Sequence, residues 1–161
     1  MKTDLPKRKE IRLKNFDYGD NSAYFITICT KDKQKLFGHI VGEGLRALPT
    51  IKLTSIGEIV REAIDFMDKN YESVSVDKYV IMPNHIHLLI SNLTGGHGDP
   101  PLRIYDVVGR FKSFTTHQYG KTLWQRSFYD HVIRNRNDYN EIWEYIENNP
   151  VKWKQDEFHI E

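Results

Sequence analysis

Two histidines one residue apart stand inside an apolar run, Met82-Pro83-Asn84-His85-Ile86-His87-Leu88-Leu89-Ile90. Side chains two apart on a strand point to the same face, so a strand here presents two imidazoles side by side, about 7 Å apart along the backbone. Ile86, Leu88 and Ile90 then turn the other way and can bury against helices. Two neutral imidazoles so placed suit one divalent metal if a third group completes the site. A histidine pair on a polar sheet face without metal has the same spacing, and His-x-His recurs by chance. The apolar setting adds weight, because unpaired imidazoles make poor core material. A sheet face reached by solvent is expected for the pair. The second chemical signal is Asp138-Tyr139-Asn140-Glu141-Ile142-Trp143-Glu144-Tyr145-Ile146-Glu147-Asn148-Asn149-Pro150. Tyr145 and Asn149 are four apart, hence on one face of a helix. An amide oxygen that binds an ion, with a phenol standing beside it, is what a metal-assisted nucleophile needs. From this helix alone the plainer reading is favoured: Tyr145 packs as a core aromatic and Asn149 ends the helix before the proline.

The elements that must position these residues follow from pattern. Ala23 to Thr30 is β-branched and aromatic and reads as a strand, and Leu36 to Val41 is a short second strand that can pair with it. Thr54 to Tyr71 carries Ser55 and Glu58 at capping-box spacing and puts Ile56, Ile59, Val60, Ala63, Ile64 and Met67 on one helical stripe. Val74 to Met82 and His85 to Ser91 are strands joined through Pro83-Asn84. Asn92 to Pro101 is a Gly/Pro-rich loop. Ile104 to Tyr119 reads as a helix ended by Gly120, with Val107, Val108, Phe111 and Phe114 as its apolar side. Phe128 to Arg134 alternates as a strand, and Asp138 to Asn149 forms a last helix stopped by Pro150. This order suggests an α+β fold, an antiparallel sheet with helices packed on one face.

The chain has 161 residues, 39% of them hydrophobic and 28% charged, which describes one soluble globular domain. No apolar run approaches the ~20 residues that span a bilayer, so no membrane association is expected. The charged first fourteen residues exclude a secretory signal there, and a cytoplasmic address follows. Cys29 is the only cysteine, which rules out an internal disulfide and a multi-cysteine zinc cage; it reads as core. The net charge of +1 hides an uneven distribution. Basic residues crowd an N-terminal arm, residues 1–22, ahead of a single domain over 23–161. They crowd again between Pro100 and Arg136, where Arg103, Arg110, Lys112, Arg126, Arg134 and Arg136 are candidates for a polyanion-binding face. On charge alone, a solvated surface balanced by acids elsewhere is an equal reading. Trp124, Phe128 and Tyr129 are candidates for base stacking, with core packing the better reading of at least one. His131, alternating with Tyr129 and Ile133, is either structural or a partner of a metal ligand, and the structural reading is preferred.

Taken together, His-hydrophobic-His after Met-Pro-Asn, a basic helix, Leu123-Trp124-Gln125, Phe128-Tyr129-Asp130-His131, Ile133-Arg134 and Tyr145-Ile146-x-x-Asn149-Pro150 resemble the single-tyrosine HUH transposases, and most closely their REP-associated branch. The resemblance runs from about Tyr24 to Pro150. It implies a ferredoxin-like sheet, His85, His87 and Asn149 as metal ligands, and Tyr145 as nucleophile. The insertion-sequence branch carries glutamine where Asn149 stands, so the oligomeric state, monomer or homodimer, is left open. The implied substrate is single-stranded or hairpin DNA and the implied cofactor Mg²⁺ or Mn²⁺. A phenol with pKa near ~10 is a weak nucleophile at neutral pH. A metal on the non-bridging oxygens polarises the phosphate it attacks. The exchange stores the cleaved bond as a 5′-phosphotyrosine and frees a 3′-hydroxyl, so it can reverse. Two rivals remain: a non-catalytic, domesticated nucleic-acid-binding module on the same sheet, and a zinc hydrolase with a water nucleophile. The second lacks an obvious carboxylate at third-ligand spacing and ranks last.

Overall fold

A computed structural model of the chain describes residues 22–42, 48–92 and 103–159. The basic arm, save Ser22, and nearly all of the Gly/Pro-rich loop lie outside the described residues. Strand β1 (Ser22–Cys29) runs antiparallel between β5 (His85–Asn92) and β6 (Tyr129–Val132), and β4 (Val74–Met82) closes the other edge, giving the order β4-β5-β1-β6. That is the α+β, ferredoxin-like arrangement expected. Alternation along β1 and β5 sends Tyr24, Ile26, Ile28, Ile86, Leu88 and Ile90 to one face. There they pack with Val60, Ala63, Ile64 and Met67 of α1 (Ser55–Asn70) and Val107, Val108 and Phe111 of α2 (Ile104–Tyr119). Each fully buried aliphatic side chain here contributes about 1.5–3 kcal/mol of transfer free energy. Gly120, at φ 84°, ends α2 in the left-handed conformation that glycine adopts without steric cost.

Several boundaries differ from the sequence reading for identifiable reasons. Thr54, not Ser55, caps α1: its extended backbone leaves its hydroxyl free to accept from the Gly57 amide while donating to the Leu36 carbonyl. Glu58 instead pairs with Arg61. The second strand, β2 (Gly38–Val41), does not join β1, because both edges of β1 are taken by β5 and β6; it pairs with β3 (Thr50–Leu53) in a separate two-stranded sheet. Phe114 leaves the apolar side of α2, stands half exposed and stacks on Phe66 of α1. No described helix is long and apolar enough to cross a membrane.

Helices α1 and α2 lie on one face, as expected; α3 (Arg136–Glu147) packs against β4 and β5 from the other. Ile146 of α3 buries with Phe25 and Leu89, and Ile142, Trp143 and Tyr139 pack around them. Polar ties fix the helix to the sheet at three points. The Tyr139 hydroxyl donates to Asp77 at 2.9 Å, Lys78 lies over the Trp143 ring and faces Glu147, and His131 of β6 meets Asp138 in the first turn. Asp77 sits at the irregularity between Val76 and Lys78 in β4, where a bulge turns its carboxylate towards Ser75, Ser91 and Tyr139.

Candidate active site

The register of β1 and β5 sets Thr27 opposite His87 and Cys29 opposite His85. Both imidazoles therefore point to the face covered by α3, as the two-residue period requires. They are not on a solvent-reached surface: His85 and His87 are 0% and 1% exposed. The cover is aromatic. Tyr145 lies 5.3 Å from His87 and Phe158 4.6 Å from His85, ring centre to ring centre, with Trp153 6.0 Å from His85. The sequence carried a sign of this, because Phe25 and Leu89 lie on the same face as the histidines and a solvated face rarely carries such residues.

Each ring is held from behind. The His85 Nδ1 meets the Asn84 carboxamide oxygen at 2.8 Å, and the His87 Nδ1 meets the Thr27 hydroxyl at 2.8 Å. The two Nε2 atoms then face each other 3.1 Å apart. Burial pushes the pKa of His85 down to about 3 and that of His87 well below the usual imidazole range, so both are neutral at physiological pH.

Tyr145 comes from the last turns of α3. Its ring stands edge-on to Phe25 at 5.8 Å and it keeps 39% of its surface exposed, so it is neither sealed core nor free. Burial and then the Asp156 carboxylate raise its pKa, while the Asn149 carboxamide works in the opposite direction. Asn149 itself is not helical. Asn135 starts α3 at Arg136, two residues earlier than expected, and the helix stops at Glu147 with Asn148 as its C-cap. Pro150 disfavours helical backbone at the residue before it, so Asn149 falls in the turn. It is buried there, its carboxamide acts on both Tyr145 and His85, and its oxygen makes no hydrogen bond among the described residues.

Asp156 was not anticipated. It follows a short 3-10 turn, Trp153–Gln155, and its Oδ2 lies 3.8 Å from the His85 Nε2. Ligand atoms of His85, His87 and Asp156 all lie within 4.8 Å of one another. No local spacing links Asp156 to the histidine strand; only the folded return of the chain past Pro150 brings it in. The carboxylate that a metal hydrolase seemed to lack is thus present in space.

The residues fit a divalent cation. Two nitrogens about 2.1 Å from one ion, at about 90–110° to each other, stand about 3.0–3.4 Å apart, which matches the Nε2 separation. Neutral imidazoles offer lone pairs without competing protons, and the orphaned Asn149 oxygen is a buried acceptor in want of a partner. Two imidazoles with an amide and a carboxylate oxygen suit a first-row ion such as Mn²⁺.

The other candidates sort by geometry. Arg103, Arg110, Arg126, Arg134 and Arg136 are exposed. Lys112 is not free: its ammonium donates to the carbonyls of Gln125 and Arg126, tying α2 to the loop before β6. Trp124 is core, its indole donating to Thr115, and Phe128 packs on Tyr105; Tyr129 is half exposed at the sheet edge. His131 is occupied by Asp138. Cys29 is buried, with its thiol pushed up to about 11. Tyr139, held by Asp77, has its pKa pushed up to about 12, first by desolvation.

Burial of the histidines predicts acid sensitivity. Between about pH 6.5 and the folded-state value of His85 near 3, the unfolded chain binds protons that the folded chain refuses, so stability falls as pH drops through that window. Asp156, raised by burial, works in the opposite sense around the carboxylate range, one group against two. Urea midpoints of the metal-free protein should fall steadily from pH 7 to pH 4.5; a flat profile contradicts neutral buried imidazoles.

No protein-family model matches the chain. An uncharacterised protein of Haemophilus influenzae is 34% identical over 175 residues, covering 96% of this chain and 94% of that protein. The REP-associated tyrosine transposase of Escherichia coli K12 is 35% identical over 101 residues, which span 62% of this chain and 58% of that protein. The solved structure of a REP-associated tyrosine transposase bound to a REP hairpin matches with a TM-score of 0.63 at 25% identity, over 88% of this chain and 74% of that one.

Proposed function

We propose that the chain is a member of the REP-associated tyrosine transposases, to which it is similar in sequence and fold, and that it is a metal-dependent enzyme that cleaves and rejoins single-stranded DNA with Tyr145 as nucleophile. One observation carries this reading: Tyr145, half-buried, abuts a histidine pair whose Nε2 atoms lie 3.1 Å apart, with the Asp156 carboxylate and the Asn149 carboxamide beside it. A pure binding module has no use for that convergence. The structural relative is bound to a REP hairpin, which supports hairpin DNA as the substrate.

In this mechanism His85, His87 and the Asn149 oxygen would hold the ion, with Asp156 as a further oxygen donor. A bound Mg²⁺ or Mn²⁺ supplies Lewis-acid polarisation of the scissile phosphate. The Tyr145 oxygen forms a bond to phosphorus, the bond from phosphorus to the 3′ oxygen breaks, and the phenolic proton ends on that oxygen. The result is a 5′-phosphotyrosine and a 3′-hydroxyl, and the reverse path joins a strand. Phe25 and His87 fix the Tyr145 ring, so little rotational freedom is lost on reaction. Exposed Arg103, Arg110, Arg126, Arg134 and Arg136 hold the backbone, and Tyr129 offers a face for stacking.

Incubation with Mn²⁺ and a labelled hairpin carrying single-stranded flanks should yield cleaved strand, with no product in EDTA and little from plain duplex. Binding should weaken steeply with salt, each phosphate contact adding about 0.7 to the log–log slope. The carboxylate of Asp156 also suits a hydrolase that uses water; release of a free 5′-phosphate without covalent protein would favour that reading.

A further inference from the structure

The backs of the two imidazoles are held by different chemistry. Asn84 is fully buried, and its Nδ2 donates to the Lys33 carbonyl at 3.3 Å and the Phe158 carbonyl at 2.7 Å. Carbonyls only accept, so both amide hydrogens are committed and the carboxamide cannot turn over. Its oxygen is fixed against the His85 Nδ1. That oxygen has no proton to give, so the His85 Nδ1 is the donor, and the lone pair of the neutral ring lies on Nε2. A proton on the Nε2 of His87, 3.1 Å away, then turns this contact into a hydrogen bond when no cation lies between them. This leaves the lone pair of His87 on Nδ1, accepting from the Thr27 hydroxyl. A hydroxyl, unlike the fixed amide, can rotate and accept instead.

We propose that Asn84 and Thr27 are paired positioning residues: Asn84 locks His85 as the Nδ1–H tautomer, and Thr27 lets His87 change tautomer when a divalent cation enters. The inference rests on the metal-site reading above. On cation binding the His87 ring proton moves from Nε2 to Nδ1, with none gained or lost overall, and the Thr27 hydroxyl turns from donor to acceptor. Both Nε2 lone pairs then face one ion. Asn84 has a second effect, because its bond to the Phe158 carbonyl ties the lock to the segment that delivers Asp156. An outer partner of a metal-binding histidine is worth about 10–100-fold in affinity.

The test is long-range ¹H–¹⁵N NMR of the imidazoles, first without metal and then with Zn²⁺ as a diamagnetic probe. Metal-free protein should give His85 as Nδ1–H and His87 as Nε2–H, and Zn²⁺ should convert His87 to Nδ1–H while leaving the His85 tautomer unchanged. Thr27→Val should weaken Zn²⁺ binding about 10–100-fold by calorimetry, and Thr27→Ser should restore it. Asn84→Ala should let the metal-free His85 ring sample both tautomers. Finding metal-free His85 as Nε2–H, or equal Zn²⁺ affinity for Thr27→Val and the parent, overturns the proposal. Failure of the parent to bind Zn²⁺ overturns the metal site itself, while the metal-free His85 spectrum still judges the Asn84 lock in a protein that needs no substitution to fold.

Discussion

Tyr145→Phe should give a folded protein that still binds metal and hairpin DNA but forms no covalent adduct and cleaves at least about 10³-fold more slowly. The substitution removes one oxygen and keeps the ring against Phe25 and His87. The stability cost should be within about 1 kcal/mol, because Tyr145 is partly exposed and the ring packing is kept. Other tyrosines are poorly placed to substitute. The Tyr139 hydroxyl is bound to Asp77 with its pKa pushed up to about 12. Tyr129 stands at the sheet edge, edge-on to Phe25 at 6.3 Å. Gel-shifted adduct and single-turnover cleavage measure the effect. A parental rate in Tyr145→Phe returns Tyr145 to the role of a packing aromatic.

Loss of either histidine should be as damaging, with a different signature. His85→Ala and His87→Ala should abolish metal-dependent cleavage and weaken Mn²⁺ binding at least about 100-fold, since each removes one of two nitrogen donors. A solvated pair would leave stability untouched. This pair is sealed under α3 and the 153–158 segment, so each truncation opens a cavity and strands Thr27 or Asn84 without its partner. A loss of about 1–3 kcal/mol is expected with it. His87→Gln, which fills the space and keeps a polar end, separates the two effects: it should recover much of the stability and little of the Mn²⁺ binding. Urea unfolding and calorimetry on the three variants check this. Retention of Mn²⁺ affinity in both alanine variants contradicts the assigned ligands.

How much of this was legible in the sequence depends on the kind of constraint. The alternation of His85, Ile86, His87 and Leu88 fixes which side chains share a face, because a strand has a period of two whatever surrounds it. The 3.6-residue stripe and Gly120 likewise set the bounds of α2 as expected. What covers a face is not periodic. The position of α3 over the histidines depends on non-local contacts of Ile146 with Phe25 and Leu89 and on the Asp77–Tyr139 bond, and no local spacing encodes these. Asp156 escaped for the same reason. Its neighbours, Trp153 and Phe158, were the available sign, two large aromatics beyond the last helix that had to pack on something. Strand β3 was missed because Thr50–Leu53 is only four residues long and pairs with an equally short partner. Lys112 illustrates the limit of charge counting, for its ammonium serves two backbone carbonyls.

The central claim is that Tyr145 becomes joined to DNA. The most direct measurement is mass spectrometry of the peptide that carries DNA after the parent protein reacts with Mn²⁺ and hairpin substrate. The expected result is a nucleotide-modified peptide whose fragment ions place the phosphodiester on Tyr145, absent when the metal is chelated. Attachment at Tyr139 or Tyr129, or cleavage with no covalently modified peptide at all, would contradict it.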